Sequence, residues 1–426
     1  MRSALLAAAC LVAVGCSGGN DDATDRVIDI FGPYRNGEAD DFVAALPRFE
    51  LDTGIRVRYT GSADFVRDLR QRVASGVSAP DIAIVPQPGL VDELAGDDRL
   101  VAFDDATTDV VRENYPADLI DSAAGASLYA APFRASIKSL VWYRPSVFEE
   151  QGWEVPSTLD ELSELVELVE QIEADDGAIA PWCFAMESGS ATGWAATDWV
   201  EDLVLRQAGP DVYDEWAAGD RGFDDPAIRT ALTTFDELVI SEGRTAGGLR
   251  NILQTEVSRA SEPLFADEPG CAMYKQASFA ESWFPVGTTV GDDVGFFVLP
   301  GTDGDEPAPL VAAGDSLVQF SDDPGVHRLM AYLVSPDGSR QWADRGGFYS
   351  ALTTVDLDTY YTDTDRQFAE LFRDGSEARF DASDVMPPSI GSDLLWREIT
   401  SWIAGTTTLD EFVAIMDAAY ADADQS

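Results

Sequence analysis

The stretch RVIDIFGPYRNGEAD, residues 26–40, opens an alternation of two patterns that decides the fold. It begins with an apolar, β-branched segment typical of a strand and continues into a polar loop that contains proline and glycine. Helix-like spacing of apolar residues follows from Phe42 to Leu51, and we expect a bend at Pro47 because proline lacks the amide hydrogen that a helix interior uses. A second strand is predicted at IRVRY, residues 55–59.

The alternation continues with a predicted helix at residues 65–76 and a third strand, APDIAIV, at residues 79–85. A β-α-β-α-β order predicts an α/β fold with a mostly parallel sheet covered by helices on both faces. Ligands of such sheets bind beyond the carboxyl ends of the strands. The loops at 36–38, 62–64 and 87–88 lie there, and their polar residues are candidate ligand partners: Glu38, Asp64 and Gln87.

The rest of the chain shows further strands and helices but no internal repeat and no low-complexity linker. Strand-like segments occur between residues 128 and 145, at 270–274, at 294–300 and from 315. A long helix is predicted after Thr158, which with Glu161 forms a capping box, and its apolar face is expected in the core. A helix with a break at Pro336 and two final helices follow. Two lobes are therefore predicted to interleave rather than to follow one another.

The composition excludes several classes of partner. The chain has 426 residues with 77 acidic and 28 basic side chains, a formal net charge of −49. Nucleic acid and anionic membrane surfaces bind basic patches, so neither is expected as a partner. A solvated acidic surface is the favoured interpretation. A dedicated calcium site is the weaker alternative, because the acidic loops near residues 301 and 357 lack EF-hand spacing. No cofactor and no metal are expected.

The first residues have the pattern of a secretion signal. Arg2 precedes an apolar run from Ala4 to Val14, which is too short to span a membrane permanently. AVGC, residues 13–16, resembles a bacterial lipobox, which implies lipidation of Cys16. We expect residues 1–15 to be a lipoprotein signal peptide, residues 16–25 to be a flexible tether, and the protein to be extracytoplasmic and anchored to the membrane by lipid alone. A plain cleaved secretory peptide is the alternative.

Four cysteines are present, and two of them lie in or next to this signal. Cys183 and Cys271 remain, and two thiols in an oxidising compartment tend to pair. A Cys183–Cys271 disulfide is therefore predicted, with two separately buried thiols as the alternative. The bond would bring PWCFAMESGS and GCAMYKQASF together in space.

Several motifs resemble those of one protein family over nearly the whole chain after the signal. They are PRFELDTGIRVRY (47–59), APDIAIV (79–85), SLVWYRPSVFEEQGWEVPSTLDEL (139–162), GCAMYKQASF (270–279), VGFFVLPG (294–301), LVSPDGSRQWADRGGFYSAL (333–352) and VMPPSIGSDLLWREI (385–399). The chain resembles the carbohydrate-binding lipoproteins of bacterial ABC importers, the maltose-binding-protein-like solute-binding family. PWCFAMESGSATGWAATDWVEDLVLR and the pair ASIKSLVWY and QASF look most like its alpha-glucoside-binding members.

The resemblance implies a two-lobed fold with a hinge and a ligand cleft between the lobes. Lobe 1 would comprise residues 26–135 and 308–345, and lobe 2 residues 136–307 and 346–426. The implied ligand is an alpha-glucoside or oligosaccharide, delivered by a monomer to the transmembrane subunits of an ABC permease.

Sugar recognition needs aromatic faces that stack on a pyranose and polar groups that hydrogen-bond to its hydroxyls. Phe279 and Trp396 take positions where the family carries cleft tryptophans, and Trp194 lies in a Gly- and Ser-rich loop. Burial in the core, helix packing and a surface anchor are the respective alternatives. The further hydroxyl partners predicted are Asp198, Gln276 and Asp315.

The lysines are a second compositional signal. Of 28 basic residues only Lys138 and Lys275 are lysines, which suggests that a compact ammonium is needed at both positions. A ligand contact and an internal salt bridge are the two alternatives.

The chemistry that remains favours a binding protein over an enzyme. One histidine, His327, excludes most His-based triads and His-rich metal sites, and there is neither a P-loop nor a GxGxxG motif. A secreted glycosidase using two carboxylates remains open, as does a binder of a non-sugar solute. A structural or adhesive lipoprotein lacks the repeats or stalk expected of it.

Overall fold

The computed structural model describes residues 27–76, 78–115, 128–176, 179–303, 308–352, 354–371 and 378–423. The predicted signal peptide, the tether and Cys16 lie outside these residues. Within the described ranges no helix has the length and apolar character needed to cross a membrane.

Eleven strands in the described ranges form two sheets. They are β1 (Val27–Gly32), β2 (Arg56–Gly61), β3 (Ile82–Val85), β4 (Ala130–Ile137), β5 (Leu140–Tyr143), β6 (Ala180–Trp182), β7 (Cys271–Lys275), β8 (Gly295–Val298), β9 (Leu310–Gln319), β10 (Tyr349–Ser350) and β11 (Ala378–Phe380). The seven-stranded sheet has the order β10-β4-β9-β3-β1-β2, with β11 paired to β9, and the four-stranded sheet has the order β6-β7-β5-β8. We call the part built on the seven-stranded sheet the first lobe and the part built on the four-stranded sheet the second lobe.

The prediction of a mostly parallel sheet is wrong for the seven-stranded sheet, which is mixed. β1 runs parallel to β2 and β3 as the β-α-β-α-β pattern predicted, but β9 runs antiparallel to both β3 and β4. The chain enters β9 directly from the second lobe. An antiparallel neighbour needs no crossover helix within the sheet, so this strand leaves no alternating pattern in the sequence.

The described helices cover the sheets and build most of the second lobe. The α-helices are α1 (Asn36–Ala44), α2 (Pro47–Thr53), α3 (Phe65–Ser75), α4 (Pro88–Gly96), α5 (Asp105–Asn114), α6 (Pro145–Gln151), α7 (Leu159–Asp176), α8 (Trp194–Ala208), α9 (Pro210–Ala217), α10 (Pro226–Phe235), α11 (Gly248–Gln254), α12 (Pro324–Leu333), α13 (Pro336–Ala343), α14 (Asp363–Leu371), α15 (Ala382–Val385), α16 (Trp396–Ile403) and α17 (Leu409–Ala423). A π-helical segment, Ser389–Leu395, precedes α16.

Local chemistry explains several helix boundaries. Pro47 starts a new helix instead of bending one, so the predicted single helix is divided into α1 and α2. At the start of α7 the Glu161 amide donates to Thr158 Oγ1 at 3.1 Å, while the Glu161 carboxylate accepts from the Ser157 amide at 2.7 Å. This is the predicted capping box with its return bond shifted by one residue.

The described chain passes from one sheet to the other after β4 and after β8, and after β11 it continues into helices that pack in the core of the second lobe. The lobes therefore interleave, as predicted. Tyr349–Ser350 and Ala378–Phe380, which the predicted boundaries put in lobe 2, pair with strands of the first lobe's sheet. The division of the chain at exact residues stays a prediction.

The predicted disulfide between Cys183 and Cys271 is present. Their Cα atoms are 5.4 Å apart, and both residues are fully buried. The bond joins the first residue of β7 to the segment that follows β6. It therefore fixes the start of the 183–194 segment, which leads to α8.

Candidate functional site

A cavity of about 750 Å³ lies between the two lobes. All three loops that the β-α-β-α-β pattern placed at the carboxyl ends of strands contribute to it, through Glu38, Ser62 and Gln87 among others. The position agrees with the rule for ligand sites in α/β sheets. The volume is within the range of small-molecule pockets.

Aromatic side chains form one part of the cavity wall. Trp194, Phe279, Trp283 and Trp396 all line it, and the ring centroid of Phe279 is 6.1 Å from that of Trp194 and 5.2 Å from that of Trp283. Gly193 makes this grouping possible. It has φ of 116°, and a Cβ there would lie 2.3 Å from the Trp396 carbonyl oxygen, so only glycine lets the two tryptophan segments approach so closely.

A buried arginine occupies the first-lobe side of the cavity. Arg134 is 4% exposed and forms an ion pair with Glu38. Its guanidinium also lies 5.4 Å from the ring centroid of Tyr34 and 6.0 Å from that of Phe279. A guanidinium held between a carboxylate and aromatic faces is fixed in orientation before any ligand enters.

Two carboxyl groups on the cavity wall have raised pKa values. Burial raises the pKa of Asp315 to about 6, although Arg134 and a 2.6 Å hydrogen bond from the Tyr34 hydroxyl act in the opposite direction. Burial, followed by repulsion from Asp381, raises the pKa of Asp384 well above its ordinary value. Both groups can therefore hold a proton in the weakly acidic range.

A buried ionic cluster, comprising Lys138, Asp198, Asp202, Lys275 and Asp381, lies behind the second-lobe wall. The Lys138 ammonium donates to Asp198 at 2.8 Å and to Asp381 at 2.5 Å, and it lies 5.0 Å from the ring centroid of Trp194. The Lys275 ammonium donates to the backbone carbonyls of Lys138 and Asp198. It also lies 3.0 Å from Asp202 Oδ2.

Each aspartate of this cluster lies within 3.0 Å of a lysine ammonium. Burial lowers the pKa of Lys138, but the carboxylates of Asp198 and Asp381 outweigh that effect and hold it well above its usual value. Oxygen atoms of Asp198, Glu201 and Asp381 lie within 4.8 Å of one another, a spacing that a metal ion could bridge. The Lys138 ammonium already supplies a positive charge to two of them. These ion pairs connect the wall at Trp194 to the segment that carries Asp381.

The structure brings seven of the eleven predicted site residues to the cavity. They are Glu38, Gln87, Lys138, Trp194, Phe279, Asp315 and Trp396. Both open alternatives for the lysines find support at Lys138, which lines the cavity and also forms internal salt bridges.

Four predicted residues do not line the cavity. The Asp64 carboxylate accepts from the Ser190 amide at 3.1 Å and pairs with Arg67, so it bridges the lobes beside the cavity. Asp198 and Lys275 belong to the buried ionic cluster. The Gln276 side chain accepts from the neighbouring Ala277 amide, which turns it away from the ligand space. In each case a strong partner within the protein takes the polar group that was expected to bind a ligand.

Sequence reasoning missed Tyr34, Arg134, Trp283 and Asp384, all of which line the cavity. Arg134 carried a usable signal, because a charged residue inside a strand that is otherwise apolar is expensive unless it is paired or functional. Asp384 carried none, since a chain with 77 acidic residues offers many equivalent candidates.

Comparisons with known proteins agree with this geometry. The family model described as bacterial extracellular solute-binding protein matches residues 36–340. The osmoprotective compounds-binding protein GgtB of Synechocystis sp. is 36% identical over 399 residues, covering 93% of each chain. The alpha-glucosides-binding periplasmic protein AglE of Rhizobium meliloti is 33% identical over 407 residues, covering 93% of this chain and 88% of AglE.

Solved structures share the fold at low sequence identity. The crystal structure of the bacterial solute receptor AcbH, described as preferring β-D-galactopyranose, superposes with a TM-score of 0.76 at 15% identity, covering 94% of this chain and 99% of AcbH. The likeness shows the two-lobed α/β fold. Because a family model matches most of the chain and two relatives exceed 30% identity over nearly its full length, the chain belongs to the bacterial extracellular solute-binding protein family.

Proposed function

We propose that this protein binds an alpha-glucoside or a short oligosaccharide in the interlobe cavity and delivers it to an ABC permease. The observation that carries the proposal is the pairing, in one cavity, of the aromatic faces of Trp194 and Phe279 with polar groups on Arg134, Asp315 and Asp384. Pyranose rings present an apolar C–H face and a rim of hydroxyls, and this wall offers partners for both.

The similarity to AglE favours an alpha-glucoside within the sugars. The similarity to GgtB favours a second candidate, an osmoprotective solute. The two candidates overlap wherever an osmoprotectant is itself a glucoside. A panel of ligands can separate them, because a quaternary ammonium or a polyol lacks the pyranose ring that the aromatic wall would contact.

The remaining parts of the proposal concern location and partners. We propose that lipid on Cys16 anchors the protein outside the cell membrane, that it acts as a monomer, and that the permease contacts the outer rims of both lobes. Mass spectrometry of the N-terminal peptide from membrane fractions tests the anchor. A Cys16→Ala variant that remains in the membrane fraction would contradict it.

Calorimetric titration of the protein without residues 1–16 tests the ligand class. The panel contains maltose, trehalose, sucrose, maltotriose and glucose, with glycine betaine, glycerol and a dipeptide as non-sugar members. We expect saturable binding of one or more glucosides and, on chromatography of the same mixture, no hydrolysis products. Product formation would favour the glycosidase alternative, and heat with the non-sugar members alone would favour the other solute class.

Trp194→Ala tests whether the aromatic wall contributes to binding. We expect a loss of about 1–3 kcal/mol in binding free energy, measured by the same calorimetry, because a stacked ring would be removed. Tyr361→Ala is the matched control, since Tyr361 is 71% exposed and does not line the cavity. Equal affinity of the two variants would exclude Trp194 from the site.

A further inference from the structure

Three residues of the cavity wall carry buried polar atoms without a hydrogen-bond partner in the described part of the chain. The atoms are Gln87 Oε1, Arg134 Nε and Asp384 Oδ1, and their residues are 8%, 4% and 6% exposed. Native proteins pair most buried polar atoms, and a group that is left unpaired raises the free energy of the folded state. Three such atoms around one cavity indicate groups that a ligand completes.

Gln87 and Asp384 come from different parts of the chain that are held firmly together. Gln87 directly precedes α4, and Asp384 lies in α15, which packs against α4. A Cβ at Gly89 would lie 2.5 Å from the Met386 carbonyl oxygen and 3.3 Å from that of Asp384, so the glycine permits this close contact. The unpaired oxygens of Gln87 and Asp384 are therefore carried by backbone segments that contact each other.

The buried ionic cluster fixes the segment that carries Asp384. Asp381 accepts from the amide of Asp384 at 3.2 Å and from the Lys138 ammonium. The Glu201 carboxyl accepts from the amides of Ala382 and Ser383, both at 3.1 Å. A side chain on a segment held at both ends of a single turn has little freedom to reorient, so its unpaired oxygen is preorganised.

The surrounding charge limits the ligand class. Asp384 experiences repulsion from Asp381, Asp198 and Asp315 and attraction from Lys138. An anionic group on a ligand would add a further negative charge to this part of the wall, which is strongly unfavourable where water is excluded. A neutral hydroxyl can donate a hydrogen bond to either oxygen without that cost.

We propose that Gln87 and Asp384 form a specificity subsite that binds hydroxyl groups of a neutral sugar ring and rejects a carboxylate at the same position. The subsite rests on the proposed sugar-binding function and specifies it further. Arg134 Nε adds a donor that takes a hydroxyl or glycosidic oxygen. The subsite makes Gln87 and Asp384 determinants of which hydroxyl pattern, and which ring substituent, the protein accepts.

The test combines protein variants with altered ligands. The variants are Gln87→Leu, Asp384→Asn and Asp384→Ala. Asp52→Asn serves as the matched control because the Asp52 side chain is exposed, pairs with Arg48 and does not line the cavity. The ligands are the glucoside found by calorimetry, its monodeoxy derivatives and the matching uronic acid. Circular dichroism and thermal melting establish that each variant is folded.

We expect Asp384→Ala and Gln87→Leu each to weaken binding of the parent glucoside by about tenfold to a hundredfold, and Asp52→Asn to leave it unchanged within about threefold. Removing the contacted hydroxyl from the ligand should weaken wild-type binding by a similar factor but leave the affinity of the matching variant unchanged. At alkaline pH, where the Asp384 carboxyl has lost its proton, Asp384→Asn should reduce the preference of the protein for the neutral glucoside over the uronic acid, because the amide carries no charge. A structural role alone would not produce this dependence on one hydroxyl.

Three results would overturn the subsite. If every deoxy sugar loses as much affinity for folded Gln87→Leu and Asp384→Ala as it loses for the wild-type protein, then no hydroxyl is bound at these two residues. Wild-type affinity in both variants, while Trp194→Ala is impaired, would remove the subsite and leave sugar binding intact. A wild-type protein that binds no sugar would overturn the proposed function and the subsite with it. If Asp384→Ala does not fold, Gln87→Leu against the deoxy series decides alone.

Discussion

The ion pairs behind the cavity wall and those at its rim differ in burial, and the difference separates two tasks. In the buried ionic cluster the side chains of Lys138 and Asp381 are 7% and 1% exposed. At the rim, Arg70 pairs with Asp393 at 3.3 Å and Arg35 pairs with Glu256 at 3.2 Å, with all four side chains between 31% and 50% exposed. The first set lies behind one wall, while the second joins the two lobes.

The difference in burial determines how much stability is lost when an ion pair of either set is broken. Breaking a buried pair leaves a desolvated charge, whereas an exposed pair exchanges its partner for water at little cost. The buried ionic cluster therefore fixes the shape of the second-lobe wall. The rim pairs can separate and re-form as the cleft opens, so they suit a hinge motion around a ligand.

Among the variants that test this contrast, Lys138→Met should cause the largest loss of stability, because it removes a cation of the buried ionic cluster. Asp198 and Asp381 would lose their common cation, and we expect the free energy of unfolding to fall by about 3–5 kcal/mol, measured by urea denaturation at pH 7. Arg48→Met is the control, because Arg48 pairs with Asp52 on an exposed helix face, where solvent screens the pair, and its loss should leave the free energy of unfolding unchanged within the error of the measurement. Similar values for both variants would remove the distinction between the two kinds of pair.

Asp315→Asn tests, through the pH dependence of the free energy of unfolding, whether the Asp315 carboxyl is desolvated at the cavity wall. The folded protein holds the Asp315 proton more tightly than the unfolded chain, since burial raises the pKa to about 6. Ionisation of Asp315 therefore removes stability as pH rises from about 4 to about 6. The free energy of unfolding of Asp315→Asn, relative to wild type, should increase over this range by about 3 kcal/mol at most.

Asp64→Asn provides the comparison at the rim, with the opposite sign. Hydrogen bonds from Ser190 lower the pKa of the partly exposed Asp64 carboxyl. Its stabilising contribution is present above the ordinary pKa and is lost as pH falls. Denaturation curves at several pH values measure both variants. A difference that moves in the same direction for both would contradict the opposite pKa shifts of the two carboxyl groups.

Arg70→Gln should show the smallest effect. We expect a change below about 1 kcal/mol in the free energy of unfolding, further reduced at high salt, together with a measurable shift in ligand affinity. Arg58→Gln is the matched control because Arg58 forms an exposed pair with Asp29 within the first lobe. If both variants shift ligand affinity equally, the rim pair has no special part in closure.

The sequence predicted the first half of the first lobe well because β1, β2 and β3 are local and periodic, and their loops do reach the cavity. It did not predict the direction of β9, whose antiparallel partners β3 and β4 lie more than 170 residues earlier in the chain. For the site, aromatic residues in loops were the reliable signal. Carboxylates were not, because Asp198 and Asp384 look alike in sequence and only packing decides that one supports the wall and the other lines it.

The interleaved topology also determines when each lobe can be completed during synthesis. The second lobe is built from residues before β9 and from the last segment of the chain, where Phe412, Met416 and Tyr420 of α17 enter its core. Its largest aromatic cluster, which includes Phe223 stacked on Tyr420, stays open until those residues have been made. The first lobe waits in the same way for β9, which lies between β4 and β3. A chain that leaves the cytoplasm before folding gains from this order, because neither lobe can be completed early.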